Sequence, residues 1–505
     1  AQDAWASDLS RIKVEGGSDR DKEVFYTALY HALIHPSIFN DVNGEYPLME
    51  SDGVGVVPQG QSRYSVFSLW DTYRAKQPLM TIIHPEKAGE FVATMVDICD
   101  KQGDLPVWHL WGNETDCMVG DPGIPVVADA IVKGIEGFDH EAAFAAIKQT
   151  AAVEERGKEH RHKYGYIPCD IFSEAVAFDM EYAIADAAAA NAAKTLGKQD
   201  DYEHFTKMSH SYRTFFDKGT GFIRGVDVDG KFRSPFNPYF SAHRANDYCE
   251  GNAWQYTWLV PHDIENYAGL FGCKEECIAR LDSLFLAPST VDGDASPDIS
   301  GMIGQFAHGN EPSHHILYLY TMLGEPQKTA ERVREVMATQ YRNDFDGLSG
   351  NEDMGQMSAW YLMSALGFYQ VEPAGARYWF GSPTVDRAEL TVKGGKFLCV
   401  LIGQRLEGGL GGGLVAAECP AFGAAVGDDK SLFRIRLRGD GLHLPAAVRC
   451  PVAGILIQME GPQAKRTMIA GGIAQGLYFL SAVSADESAV VLRKSFRFHF
   501  VCPLL

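Results

Sequence analysis

The chain of 505 residues is long enough for two or three domains, or for one large helical domain with an accessory. Its formal net charge of -21 and its pI near 5.2 argue against nucleic acid as a partner, because neutralising phosphates requires a basic surface. No apolar run reaches the roughly 20 residues that cross a bilayer, so we expect no membrane span. No signal peptide is recognised in this chain, and the ten cysteines, which include no CxxC pair, are expected to be buried thiols.

Helical patterns dominate the chain as far as residue 367. Apolar residues recur at helical spacing over 24–34 and stop before Pro36, which cannot continue the hydrogen-bond ladder. A long alanine-rich helix is predicted over 173–196, with Gly197 as its C-terminal cap. Further helices are predicted over residues 86–99, 126–133, 141–156, 202–217 and 316–323.

About a dozen helices, joined by irregular loops that are rich in aromatic residues, predict a mainly α fold. Antiparallel helix pairs with functional loops at one end describe an (α/α)6 toroid barrel, which we assign to residues 1–390, and the mouth of such a barrel is a natural pocket. A helical solenoid is the alternative. No internal repeat of fixed length is visible, which weighs against it.

Two segments place polar and aromatic side chains just before helices. In segment 64–74, Trp70, Asp71 and Arg74 stand close together at a helix start, an arrangement that suits a sugar ring. A core tryptophan with a surface ion pair explains the same residues equally well. Segment 106–115 is a second such cluster.

Two further segments carry candidate catalytic carboxyl groups. Glu250 precedes a helix-forming run that starts at Asn252, and packing against a neighbouring aromatic ring would raise its pKa enough to make it a general acid. Glu352 and Asp353 lie between glycines at the entry of a helix. There the unpaired N–H groups favour ionised carboxylates, as a catalytic base requires. An isolated carboxylate at either place would more often be a helix cap, so the catalytic interpretation depends on the pairing of Glu250 with Asp353.

Segment 304–315 combines histidines with oxygen donors. Its three histidines suggest zinc, but the first two are six residues apart across a Gly and a Pro, unlike the His-x-x-x-His of zinc hydrolases. Gln305, Asn310 and Glu311, joined by a carboxylate from 351–353, suit a hard cation such as calcium better.

The composition changes after Thr391. Residues 401–505 contain no Asn, no Trp and a single Tyr, and alternation typical of a strand covers 433–438. We interpret 391–505 as a C-terminal tail that is β-rich or disordered. An out-of-frame reading is a third explanation of so abrupt a change.

These motifs together resemble the glycoside hydrolase family 92 exo-α-mannosidases, in register from about Trp5 to Gly381. The resemblance implies an (α/α)6 barrel and calcium-dependent removal of terminal α-mannose from glycans, with inversion at the anomeric carbon. The matching segments are FYTALYH at 25–31, YSVFSLWDTYR at 64–74, GNET at 112–115, EGNAWQY at 250–256, GQFAHGNEPSHH at 304–315 and GNEDMGQMSAWY at 350–361.

The resemblance also implies roles for individual residues. Glu250 matches the general acid, and the base function matches Glu352 and Asp353, with Asp353 expected to deprotonate water. Gln305 matches a calcium-ligand position, and Asn310 and Glu311 are further expected ligands. The residues expected to line the mannose subsite are Trp70, Asp71, Arg74, Asn113, Glu114, His308 and His315.

Three departures from the family pattern bear on function. Family members carry an N-terminal β-sandwich domain that contributes to the active site, and this sequence starts after it, so a missing domain or a separate chain is an expected partner. Many members have a histidine where this chain has 120–122, and the tail beyond about 398 is unlike the family. A non-catalytic glycan-binding fragment is therefore the alternative function. Family members are commonly exported, which implies an extracytoplasmic location.

Overall fold

The computed structural model describes residues 1–49 and 52–392 in full, and beyond them the backbone of five strands between 395 and 484. Its described residues divide into two compact units. The first comprises Ala1–Ser10 and Gly17–Thr384 and contains every site residue predicted from the sequence. The second contains Arg11–Gly16 and the strands that follow Val385.

The first unit is built from helices, and the predicted mainly α fold is confirmed, with nearly half of this unit's described residues helical. The described part of this unit also contains two short 3-10 helices, Gly269–Phe271 and Glu311–Ser313. The helices are α1 (Gln2–Leu9), α2 (Asp19–Ile34), α3 (Leu69–Thr72), α4 (Lys76–Ile83), α5 (Pro85–Gln102), α6 (Gly123–Val132), α7 (His140–Ala151), α8 (Lys158–Tyr164), α9 (Ala175–Thr195), α10 (Gln199–Met208), α11 (Tyr212–Phe215), α12 (Ala253–Tyr256), α13 (Ile264–Ala268), α14 (Lys274–Leu286), α15 (Ile316–Met322), α16 (Pro326–Thr339) and α17 (Gln356–Leu366).

Local sequence explains where these helices begin and how they pack. Ser18 and Asp21 form a reciprocal capping box at the start of α2. Helix α5 begins with a proline and ends at Gly103, whose φ of 108° lies in the left-handed region that favours glycine. The alanines of α9 leave little side-chain bulk, so α9 packs closely between α6 and α10 with almost its whole length buried.

Short strands pair within the loops of the first unit. One small sheet, β6–β7–β8, joins the sequence clusters 64–74 and 106–115, because Phe67 pairs with His109 and Ser68 with Trp108. The strands of this unit are β2 (Ser37–Ile38), β3 (Glu45–Pro47), β4 (Val54–Val56), β5 (Tyr64–Ser65), β6 (Phe67–Ser68), β7 (Trp108–Leu110), β8 (Asn113–Glu114), β9 (Phe216–Asp217), β10 (Phe222–Ile223), β11 (Met302–Ile303), β12 (Phe306–Ala307), β13 (Phe368–Tyr369) and β14 (Trp379–Phe380).

The second unit is a seven-stranded sheet in the order β1-β15-β16-β17-β18-β19-β20. Among its described strands, β16 and β17 are the one pair that runs parallel. Strand β17 covers the alternating segment 433–438, as predicted, whereas most of the predicted tail 391–505 lies outside the described residues, so its boundary stays a prediction. The strands are β1 (Ile12–Glu15), β15 (Arg387–Val392), β16 (Gly395–Val400), β17 (Leu432–Arg438), β18 (Gly454–Glu460), β19 (Arg466–Ile473) and β20 (Gly476–Ser484).

Two composition-based expectations can be compared with the described residues. Across them we find no helix that combines the length and the apolar character needed to cross a bilayer. Six cysteines are described with their side chains and all are free thiols. Cys99, Cys169, Cys249 and Cys277 are buried as expected, while Cys273 is exposed.

Candidate active site

Three carboxylates from distant parts of the chain converge in the first unit. Asp71 lies in α3, Glu311 opens a 3-10 turn and Asp353 lies in the loop before α17; their oxygens lie within 4.8 Å of one another. Burial raises the pKa of Asp71 and of Glu311, and the mutual repulsion of the three charges raises them further. One oxygen of Glu311, Oε1, is buried without a hydrogen-bond partner among the described residues. This carboxylate cluster of Asp71, Glu311 and Asp353 is therefore a candidate cation site.

Local hydrogen bonds and backbone conformation aim these carboxylates at one point. The Ser68 hydroxyl donates to Asp71, and the side-chain oxygen of Asn310 accepts from the backbone N–H of Glu311 at 3.2 Å. Asp353 has a φ of 52° and Met354 a φ of 55°, both in the left-handed region that non-glycine residues seldom occupy. A strained backbone of this kind is typical of functional loops.

Glu352 and Asp353 are neighbours with different surroundings. The carboxylate of Glu352 accepts the backbone N–H groups of Gly355 and Ser358, so it caps α17, while Asp353 joins the carboxylate cluster. The predicted hydrogen bonds at the helix entry are thus present. Burial nevertheless raises the pKa of both carboxyls: it outweighs the N–H groups at Glu352 and the hydrogen bond with Glu311 at Asp353.

Glu250 has the proton affinity expected of a general acid. It precedes α12 with a φ of 44°, and Asn252 caps that helix as the sequence indicated. Burial is the main cause that raises the pKa of Glu250 to about 7, and the charges of Asp298 and Asp353 raise it further. The amide of Asn310 opposes the shift.

Two of the expected calcium ligands make hydrogen bonds within the fold. Asn310 Nδ2 donates to the backbone oxygen of Glu250 at 2.8 Å and to its Oε2 at 3.4 Å. Gln305 Oε1 accepts from Asn252 Nδ2 at 2.9 Å, and Gln305 Nε2 donates to the backbone oxygens of residues 288 and 290. Of the three expected ligands, Glu311 lies in the carboxylate cluster, and calcium ligation by the oxygens of Gln305 and Asn310 stays a prediction. Both amides make hydrogen bonds close to Glu250 in the sequence.

The histidines of segment 304–315 do not gather around a common point. His308 Nε2 bonds to the hydroxyl of Tyr341, and His314 uses Nε2 on the His308 carbonyl and Nδ1 on a glutamine amide. His315 Nε2 bonds to the Trp258 carbonyl at 2.7 Å. Burial lowers the pKa of His308 and His315 to about 3, so both rings are neutral. Among the described residues the single group with metal-binding spacing is the carboxylate cluster, which argues against the zinc interpretation.

Segment 64–74 was interpreted either as a sugar-binding cluster or as a core tryptophan with a surface ion pair, and the structure has features of both. Trp70 is buried, and the Arg74 guanidinium lies over its ring at 5.3 Å from the centroid. Arg74 Nη2 also bonds Glu181 Oε1 at 2.6 Å, with the two side chains 4 % and 3 % exposed. The ion pair is therefore interior, not on the surface, and it occupies the Arg74 group that was expected to contact mannose. Trp70 Nε1 has no partner within the described part of the chain.

Segment 106–115 forms a hairpin whose turn is held by Glu114. The Glu114 carboxylate accepts the backbone N–H groups of residues 107, 108, 115 and 116 at 2.8 to 2.9 Å. Asn113 is exposed beside it on β8. Glu114 therefore shapes the hairpin, and a sugar contact for either residue stays a prediction.

Comparison with known proteins agrees with this geometry. The sequence profile of the glycosyl hydrolase family 92 catalytic domain matches residues 1–405. The chain belongs to this family. A family 92 α-mannosidase from Bacteroides thetaiotaomicron, solved in complex with mannoimidazole, is similar with a TM-score of 0.75 and 38% identity over 79% of this chain and 53% of that chain.

Two further relatives of this family 92 chain extend the comparison. A structure described as a family GH92 inverting mannosidase from Bacteroides thetaiotaomicron VPI-5482 gives a TM-score of 0.70 and 33% identity over 79% of this chain and 56% of that chain. A protein of Arthroderma benhamiae described as an uncharacterized secreted glycosidase is 25% identical over 407 residues, which are 73% of this chain and 46% of that protein. The chain thus spans about half the length of the relatives that it matches.

Two carboxylates near the candidate site, Glu181 and Asp298, were not identified from the sequence. Glu181 lies in the alanine-rich α9, whose buried residues include three carboxylates, Asp179, Glu181 and Asp186, and acidic residues within so apolar a helix are a signal that could have pointed to buried partners. Asp298 lies in an irregular loop with no periodic pattern, and its sequence gave no such signal. Its charge raises the pKa of both Glu250 and Asp353.

Proposed function

We propose that this chain is the catalytic part of an exo-acting, calcium-dependent α-mannosidase that hydrolyses terminal α-mannosyl linkages of glycans with inversion. The observation that carries the proposal is Glu250, an acid with a pKa near 7, facing the charge of Asp353. The α-mannosidases among the similar structures support the substrate class. The proposed architecture is an (α/α)6 barrel, and an extracytoplasmic location is proposed by analogy with the secreted relative.

Glu250 is the proposed general acid. Glycoside cleavage requires a carboxylic acid that still holds its proton near neutral pH and donates it to the departing oxygen. The burial of Glu250 supplies that proton affinity, and Asn310 fixes its backbone and one carboxyl oxygen. Proton donation then leaves a carboxylate that the same amide can stabilise.

Asp353 is the proposed base. Inversion requires a carboxylate on the opposite face of the sugar, about 6.5 to 9.5 Å from the acid, so that a water fits between them. Glu352 is the weaker candidate, because both of its oxygens accept backbone N–H groups of α17. The carboxylate of Asp353 is directed into the carboxylate cluster instead and can take the proton of an attacking water.

The carboxylate cluster fits calcium. Its donors are hard carboxylate oxygens, which calcium prefers, and a dication would relieve the repulsion that raises the pKa of Asp71 and Glu311. The residues that would hold the cation are Asp71, Glu311 and Asp353. When bound, calcium supplies a positive charge that positions and polarises sugar hydroxyls.

A non-catalytic glycan-binding fragment is the second candidate function. The observation that favours it is length, since the relatives are about twice as long as the matched part and a further domain, in the same or another polypeptide, is a proposed partner. Calorimetry that shows mannose affinity without turnover would support this candidate.

Proton NMR of α-mannobioside hydrolysis tests the proposal. We expect β-mannose as the first product, loss of activity in EDTA and recovery with calcium. Glu250→Gln should be inactive, whereas Glu265→Gln, on the exposed face of α13, should behave as the wild type. First release of α-mannose would contradict inversion, and full activity after thorough chelation would contradict the cation.

A further inference from the structure

Three loops meet on the side of the site between Glu250 and Asp353. Loop 296–301 bonds to the next loop through Gly309 N to the Ser300 oxygen at 3.0 Å and through His308 N to the oxygen of residue 301 at 3.2 Å. Loop 349–353 presses against the same place, since a Cβ on Gly350 would lie 2.4 Å from the Gly309 oxygen. A Cβ would not fit at Gly309 or at Gly350, so the three loops pack closely against one another there.

Asp298 joins two of these loops with its carboxylate. Its Oδ1 accepts from Asn351 Nδ2 at 3.1 Å, and its Oδ2 accepts from the Ser296 hydroxyl at 2.5 Å. Asn351 stands two residues before Asp353, the proposed base. Asp298 therefore tethers the base-bearing loop by a charged hydrogen bond, which is stronger than a neutral one.

The third loop reaches the acid. Asn310 follows Gly309 and donates to the backbone oxygen of Glu250 at 2.8 Å. Contacts thus run without a break from the acid, through Asn310 and the 300–309 backbone bonds, to Asp298, and on through Asn351 to the base. The groups that interact with Glu250 are the carboxylates of Asp298, Asp353, Glu174 and Asp71 and the amide of Asn310.

We propose that Asp298 is a positioning residue of this site, which holds the loop of Asp353 in register with the loop of Glu250. Its negative charge accompanies this tether and favours the protonated form of Glu250. This inference rests on the proposed function, because it gives Asp298 a task only if Glu250 and Asp353 act as acid and base. If Asp298 served stability alone, it would hold the loops together but would not change the pKa of Glu250.

Two substitutions separate the charge of Asp298 from its hydrogen bond. Asp298→Asn removes the charge and keeps an acceptor for Asn351, whereas Asn351→Ala removes the bond and keeps the charge. Asp294→Asn is the matched control, since Asp294 is an exposed carboxylate of the same region whose charge is not among those raising the pKa of Glu250.

Potentiometric difference titration reports the proton on Glu250 without requiring turnover. Each protein is titrated in chelator against the same protein carrying Glu250→Gln. We expect a midpoint near 7 in the wild type, Asn351→Ala and Asp294→Asn, and a midpoint about half a pH unit lower in Asp298→Asn. An unchanged midpoint in Asp298→Asn overturns the proposal.

Hydrogen exchange and kinetics test the tether. Peptides covering 349–355 should exchange faster in Asn351→Ala than in Asp294→Asn. The Asn351→Ala enzyme should also have a lower kcat, while the alkaline limb of its kcat/KM profile should lie at the same pH as in Asp294→Asn. Equal exchange in the two variants overturns the tether. If the wild type hydrolyses no mannoside at all, the proposed function fails, while the titration and the exchange still decide the role of Asp298.

Discussion

Asn310 donates its side-chain amide to Glu250, at 2.8 Å from the backbone oxygen and at 3.4 Å from Oε2. This contact gives the residue a role different from the one expected of it. An amide hydrogen bond stabilises the ionised carboxylate more than the neutral acid, so Asn310 limits the rise in the pKa of Glu250 that burial causes. The acid is thereby tuned to about 7 and remains able to release its proton.

Replacing Glu250 should remove turnover while retaining binding. We expect Glu250→Gln to lower kcat for an α-mannobioside by roughly 100-fold to 10,000-fold, because it removes proton donation but keeps an acceptor for Asn310. Calorimetry should give a mannose affinity within about threefold of the wild type, and circular dichroism should show the same fold. A variant that retains wild-type kcat would remove Glu250 from the mechanism.

The pKa of Glu250 also predicts a pH dependence. Because the acid must be protonated, kcat/KM should fall as the pH rises through about 7. The free energy of unfolding should also fall as the pH rises. The pKa of Glu250 in the folded state lies above the ordinary 4.5, so the unfolded state loses this proton first. The contribution of Glu250 to stability therefore declines between about pH 4.5 and about pH 7. Urea unfolding at pH 5 and pH 8 should therefore show Glu250→Gln gaining on the wild type at the higher pH. An equal difference at both values would contradict the raised pKa.

Helix periodicity and motif spacing predicted much of this molecule. The mainly α fold and the family follow from patterns along the chain, and the stop of α2 before Pro36 follows from the geometry of one residue. Glu250 and Asp353 could be selected because a catalytic pair needs two carboxyls on separate loops. These patterns do not reveal which side chains the fold brings together from distant parts of the sequence.

Two expected calcium ligands show why. Gln305 and Asn310 have the right donor atoms for calcium, but donor type does not reveal the hydrogen bonds that each amide makes, here with Asn252 and Glu250. The helix-entry argument for Glu352 was sound for its hydrogen bonds, yet it omitted burial, which is a property of the whole fold. Asp71 lies in the carboxylate cluster, and its expected contact with mannose stays a prediction.

The Arg74–Glu181 ion pair should be required for stability. Both side chains are buried, so Glu181→Gln leaves an uncompensated guanidinium, and we expect a loss of about 3 to 5 kcal/mol in the free energy of unfolding. The exposed pair of Arg342 and Asp344 is the control, and Asp344→Asn should change stability by less than about 1 kcal/mol. Denaturant unfolding of both variants makes the measurement. Equal effects would contradict a buried role for Arg74.

Calcium binding should depend on Glu311 and not on the Gln305 side chain. Glu311→Gln removes one of three clustered carboxylates, so titration calorimetry should show calcium affinity reduced roughly tenfold or more, because ligand charge sets the affinity of such sites. Gln305→Ala removes hydrogen bonds to Asn252 and to the backbone of residues 288 and 290. It should lower the free energy of unfolding by about 1 to 3 kcal/mol and leave calcium affinity within about threefold. The opposite result, with calcium affinity lost in Gln305→Ala and retained in Glu311→Gln, would place the cation at the Gln305 side chain and not at the carboxylate cluster.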